Sequence, residues 1–194
     1  MDNQPPERSI ASLNPACVTA AGVTDTDRLV LRKLATQDAA FILELVKGAA
    51  FLQFIGDKSV RTLDDARDYI LKGPVDSYER FGFGLYLCEL KDTRTPIGMC
   101  GLIKRDCLDD VDIGFAFLPE FWGKGYCYEA ASAVLAMGRN TYGLDRIVAI
   151  TSVDNDRSIR VLERLGMRFE RMITLPDSPS EVRLFSAGAG LDQS

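Results

Sequence analysis

No histidine occurs in this chain of 194 residues. That excludes a histidine general base, a Ser-His-Asp triad, a Cys-His pair and every zinc site that needs imidazole. Five cysteines are present, but none stands in a C-x-x-C pair, so no metal centre is expected. An odd, scattered set of thiols fits a reducing compartment. Basic charge is scarce: 23 Lys and Arg stand against 28 Asp and Glu, a net charge of -5. Phosphate binding along a duplex needs a basic surface, so nucleic acid is not the expected main partner, although local basic patches stay open. No apolar run is long enough to span a bilayer, and the acidic, proline-bearing N-terminus is unlike a signal peptide. A cytoplasmic protein with no membrane partner is the expectation.

Hydrophobic residues make up 46 % of the chain, enough for one good core. Residues 1–25 lack periodicity and suggest a loose leader, 26–186 one folded domain, and 187–194 a frayed tail. "RLVLRKL" (28–34) alternates and predicts a first strand; "ATQDAAFILELVKGAAFLQF" predicts one helix followed by a turn. In "TLDDARDYIL" (62–71), Thr62 is placed to cap a helix, with Asp65 three residues on as a short stand-in for the usual capping Glu. Strands are expected at 81–90, 96–105, 111–118 and 146–153, a helix ended by Gly166 at 155–166, and a final strand pair. The order β-α-α-β-β-β-α-β-α-β-β describes a mixed α+β domain built on one sheet.

The segment "FLPEFWGKGYCYEAASAVLAMGRN" (117–140) places two glycines, Gly123 and Gly125, at the mouth of a predicted helix. A helix start leaves backbone N–H groups unpaired at the positive end of the dipole, and glycine lets an anion come close. A diphosphate cradle made by N–H groups from Gly123 to Tyr128, with Lys124 at its rim, is one reading. A turn that merely needs flexible residues is the other. Neither the Walker pattern GxxxxGK(S/T) nor a GxGxxG turn is present, so the residues alone reach an anionic ligand and stop there.

Here the chain resembles the GNAT superfamily of acyl-CoA-dependent N-acetyltransferases. It looks closest to the branch that acetylates ribosomal-protein N-termini. The resemblance rests on "TDRLVLRKL", "PIGMCGL", "VDIGFAFLPEFWGKGYCYEA" and "NDRSIRVLERLGMRFE", in that order, and covers about residues 26 to 186. The superfamily's pyrophosphate loop, Gln/Arg-x-x-Gly-x-Gly/Ala, falls on Trp122, Gly123, Lys124, Gly125, Tyr126 and Cys127. Trp122 departs from Gln/Arg, as is common in this branch, and Cys127 from Gly/Ala. The resemblance implies a GNAT-like fold whose mixed central sheet holds two splayed parallel strands, 111–118 and 146–153, with the pantetheine arm of acetyl-CoA between them. It also implies a bulge in the first strand, with N–H groups near Phe115 to Leu118, Phe117 and Leu118 among them, holding the thioester carbonyl.

The implied chemistry is direct attack of a primary amine on acetyl-CoA, with no enzyme nucleophile and no metal. Asn155 and Ser158 sit three apart at a helix start. In the related branch the Asn contacts the pantetheine arm and the Ser lies near the cofactor sulfur; Asn155 as a plain N-cap and Ser158 as a first-turn residue are the alternatives. Where many GNAT proteins carry a Tyr acid four residues on, this chain has Leu162. Asp112 takes the position of a family Glu and is the first candidate for the base, acting through water, against a solvent-facing strand residue. Glu129 ranks below it as a structural residue. Cys127, near a helix start, is either an acylated thiol or a small packing residue, with packing favoured. Tyr126 and Tyr128 complete the expected cofactor contacts. The acceptor is expected to be a protein N-terminal amine, with a small-molecule amine, a non-catalytic acyl-CoA-binding protein and a nucleotide-binding protein as alternatives. A monomer or homodimer is expected.

Overall fold

The computed structural model describes residues 22–176 and 180–188. The sheet grows from a buried strand, β2 (Leu29–Lys33), in which Leu29 and Leu31 turn into one hydrophobic layer. A two-residue strand, β1 (Thr24–Asp25), pairs antiparallel with β2 at its edge, within the stretch assigned above to the leader. Residues 1–21 of that leader and the tail residues 189–194 lie outside the described residues. The other strands are β3 (Leu85–Leu90), β4 (Pro96–Ile103), β5 (Val111–Phe117), β6 (Ile147–Ser152), β7 (Arg168–Thr174) and β8 (Glu181–Ala187). They form one eight-stranded sheet in the order β1-β2-β3-β4-β5-β6-β8-β7. All neighbours are antiparallel except β5 and β6, which run parallel. The mixed α+β sheet expected from the sequence is therefore present.

Helices α1 (Ala39–Lys47), α2 (Ala49–Phe54) and α3 (Leu63–Ile70) precede β3. Gly48 adopts an extended ψ of 139° and splits the predicted single helix into α1 and α2. The cap at Thr62 forms as its spacing predicts: Thr62 Oγ1 accepts from the Asp65 N–H at 3.1 Å, and Asp65 Oδ2 accepts from the Thr62 N–H at 2.9 Å. Beyond Ile70 the chain winds through a π turn, Leu71–Val75, around Pro74. Proline has no N–H to give the helical ladder, and a wider turn absorbs the missing rung. Helix α4 (Asp76–Phe81) follows and ends at Gly82, whose φ is 80°. The strand expected at 81–90 therefore begins only at Leu85. Its aromatic and glycine alternation mimics a strand, whereas Phe81 and Phe83 stack on each other with centroids 5.9 Å apart.

Helices α5 (Tyr126–Asn140) and α6 (Asp156–Arg164) complete the fold. Ala130, Ala131 and Val134 of α5 pack with Tyr86, Cys100 and Ile113 on one side of the sheet. Leu87 and Met99 pack on the other side with Ile42 of α1 and Ile70 of α3. A buried ion cluster pins the second side: Arg32 reaches Asp38 at 2.7 Å and Glu89 at 2.8 Å. Its planar fork grips both oxygens of Asp38 while Nε reaches Glu89, a geometry that a lysine cannot reproduce. Arg32→Lys is expected to cost about 2 kcal/mol in urea unfolding.

Candidate active site

β5 and β6 pair only through Val111↔Ile147 and Asp112↔Val148. Past these pairs the strands part, and Gly114, Phe115 and Ala116 are half-buried along the opened edge. The splay expected for 111–118 and 146–153 is thus present. The expected bulge in β5 is not. Its register with β4 runs unbroken from Gly98↔Phe117 to Ile103↔Asp112. One assigned contact changes. The Leu118 N–H donates to the Ile97 carbonyl at 3.0 Å, so it is not free to hold an oxyanion. The Phe117 carbonyl accepts the Trp122 indole N–H at 2.7 Å, and the Phe117 side chain is buried in the core. Both residues fasten the loop to the sheet.

The loop turns through Pro119–Phe121 into Trp122, and Gly123 and Gly125 then take φ values of 72° and 84°. These are left-handed values that side chains resist. A Cβ placed on Gly123 would meet nothing within 4 Å, so the turn is open on that side. Gly125 stands at the N-cap of α5, and no side chain caps the helix. The first N–H groups of α5 thus point outward without a side-chain partner, at the positive end of a 15-residue helix.

The loop is braced from behind. Arg28 Nη1 donates to the Lys124 carbonyl at 3.0 Å. Glu129 accepts from Thr26 Oγ1 at 2.5 Å, from the Arg28 N–H at 2.8 Å and from Arg28 Nε at 2.7 Å. Burial pushes the Glu129 carboxyl up, but these hydrogen bonds outweigh it and hold the group below its ordinary range. Glu129 is therefore a brace between the β1–β2 turn and α5. Burial also pushes the Cys127 thiol up to about 12, against the lowering that a helix start would give. Cys127 packs against the core, in keeping with the packing reading.

At the other lip, Asn155 Oδ1 accepts the Ser158 N–H at 3.1 Å and caps α6. The half-buried Ser158 lies in that first turn. Asp112 sits where the two strands separate, 1 % exposed. It is a buried residue, not a solvent-facing one. Arg105 Nε lies 3.1 Å from each of its carboxylate oxygens. Burial raises the Asp112 pKa, and the Arg105 charge and hydrogen bonds only partly oppose it. Arg105 escaped the sequence reading because no motif marks it; its pairing arises across the β4–β5 turn. Ser152 escaped for the same reason. Its hydroxyl donates to the Phe54 carbonyl at 3.2 Å and ties the end of β6 to α2.

A parted parallel strand pair beside an uncapped, glycine-opened helix start can hold a long thioester with a diphosphate at one end. The sequence model of the acetyltransferase (GNAT) domain family matches residues 28–168. The chain belongs to the GNAT acetyltransferase family. It is an acetyl-CoA-dependent N-acetyltransferase, with acetyl-CoA as cosubstrate. This GNAT chain is 31% identical over 145 residues to the uncharacterized N-acetyltransferase YnaD of Bacillus subtilis, covering 75% of this chain and 82% of that one. A GNAT-family acetyltransferase of Bacillus anthracis superposes with a TM-score of 0.72 at 25% identity, covering 85% and 97% of the two chains. RimL, a ribosomal L7/L12 alpha-N-protein acetyltransferase solved with coenzyme A, superposes with a TM-score of 0.74 at 19% identity, covering 87% and 98%. Among the described residues of this acetyltransferase, no helix is long and apolar enough to cross a membrane.

Proposed function

We propose that the acceptor is a protein N-terminal amine, acetylated by direct attack in a ternary complex. The observation that carries this reading is the state of the acidic residues in the segment after α2. Asp57 is tied to Arg61, Asp64 to Arg67 and Asp68 to Lys72, while Asp65 is occupied with its helix cap. Leu52 and Ile55 beside them are 41% and 42% exposed. A polyamine needs free carboxylates along its length, and here they are matched internally. A peptide brings a single amine and an apolar or neutral body. The likeness of fold to RimL adds to the reading for a ribosomal-protein target.

In this scheme the loop from Trp122 to Tyr128 takes the diphosphate, Asn155 contacts the pantetheine arm, and Ser158 donates to the departing sulfur. Asp112 receives the amine proton through water, since a nitrogen cannot reach a carboxylate this buried. Ser158→Ala is expected to lower kcat about tenfold while leaving acetyl-CoA affinity near wild type. An unchanged kcat removes the hydroxyl from the mechanism. The described cysteines are free thiols, in keeping with work in a reducing cytoplasm. The acceptor itself is tested by acetyl transfer to a panel of ribosomal-protein N-terminal peptides, spermidine and amino sugars. Peptides should show the highest kcat/KM. Turnover confined to the small amines would sink the proposal.

A further inference from the structure

Cations gather on the aromatic rings of the glycine loop. Lys124 Nζ lies 5.4 Å from the Phe121 ring, Arg157 Cζ 4.6 Å from Trp122, Arg28 Cζ 4.5 Å from Tyr126 and Arg164 Cζ 4.1 Å from Tyr128. Such contacts ordinarily occur about once in 70–80 residues, so their density here sets the loop apart. Charge balance sorts them. Arg28 is neutralised by Glu129 at 2.6 Å. Arg32, Arg105 and Arg146 elsewhere also meet acids. Lys124, Arg157 and Arg164 meet no carboxylate among the described residues, in a chain with more acids than bases. All three are exposed.

Arg157 and Arg164 are seven residues apart on α6, two helical turns along one face, with the exposed Arg160 between them. Each guanidinium carbon lies over its ring, and a cation held there keeps N–H donors for an acceptor. A planar fork suits a phosphate monoester, which bears more charge per group than a bridging diphosphate and presents several acceptor oxygens. Coenzyme A carries one such group, the 3′-phosphate of its ribose. The diphosphate is served by the backbone donors of the loop, which leaves the side-chain cations for the other anion.

We infer that Arg157 and Arg164, held on Trp122 and Tyr128, read the 3′-phosphate of the cosubstrate and make this enzyme select coenzyme A over its 3′-dephospho form. The inference rests on the loop taking the diphosphate. Calorimetric titration of the full chain with CoA and dephospho-CoA tests it. The double variant Arg157→Gln/Arg164→Gln should lose about tenfold or more in CoA affinity and leave dephospho-CoA affinity unchanged. Arg164→Lys, which keeps the charge but not the fork, should recover only part of the loss. Lys47→Gln, an exposed charge removed on the far side of the sheet, should change neither affinity. Equal losses for both ligands, or no loss for either, overturn the assignment. Gly125→Val separates the two ideas. It should weaken both ligands alike, because both carry the diphosphate. If it does so while the arginine variants change nothing, the loop stands and the 3′-phosphate reading falls.

Discussion

Asp112→Asn is expected to reduce kcat by about 100-fold or more, with acetyl-CoA affinity unchanged. Asn keeps the size and the acceptor oxygen that faces Arg105 but cannot take a proton. Burial raises the Asp112 pKa, the direction that the proposed base role needs. Arg105 does not stand in the way: one N–H shared between two oxygens at 3.1 Å leaves lone pairs on both. The same substitution has a signature in stability. A carboxyl with a raised folded-state pKa stabilises the fold fully only below its unfolded pKa. That contribution is lost as pH rises through the folded value. Asn does not titrate, so the variant should gain on the wild type in urea midpoint between acid and neutral pH. A kcat within twofold of wild type would leave Asp112 as an anchor for Arg105 and nothing more.

Gly125→Val should weaken acetyl-CoA binding by about 100-fold without unfolding the protein. The position has a φ of 84°, which a β-branched residue resists, and a new Cβ would stand 3.3 Å from Arg28 Nη2. To escape, the loop must rotate, and its N–H groups turn with it. Each charge-assisted hydrogen bond lost from a phosphate is worth about 1.5–3 kcal/mol, so misaiming two of them accounts for the expected loss. α5 itself should survive, because its packing rests on Ala130, Ala131 and Val134. Circular dichroism and a titration with acetyl-CoA check both halves. Unchanged affinity would remove the loop from the cofactor site.

Local chemistry was legible in advance and long-range chemistry was not. Thr62 and Asp65 announce their cap because the partners are three residues apart. Gly123 and Gly125 announce the turn because few other residues accept their φ values. The parting of β5 from β6 was expected through resemblance alone, since nothing in either strand records that the pairing stops at Val148. The bulge was expected on the same ground and is absent: the cleft opens by divergence of the strands, without an extra residue in β5. Phe81 and Phe83 misled because alternation near glycines looks alike in a strand and in a stacked turn. Arg105 and Arg28 stayed hidden because a surface arginine shows its partner only once the chain has folded.

Trp122 is the sole tryptophan of the chain. Its indole is anchored to Phe117, covered by Arg157 and placed at the entrance of the glycine turn. Light absorbed at the red edge of the near-ultraviolet band is therefore re-emitted from this one place. The protein carries its own optical reporter at the turn proposed to receive the cosubstrate's diphosphate.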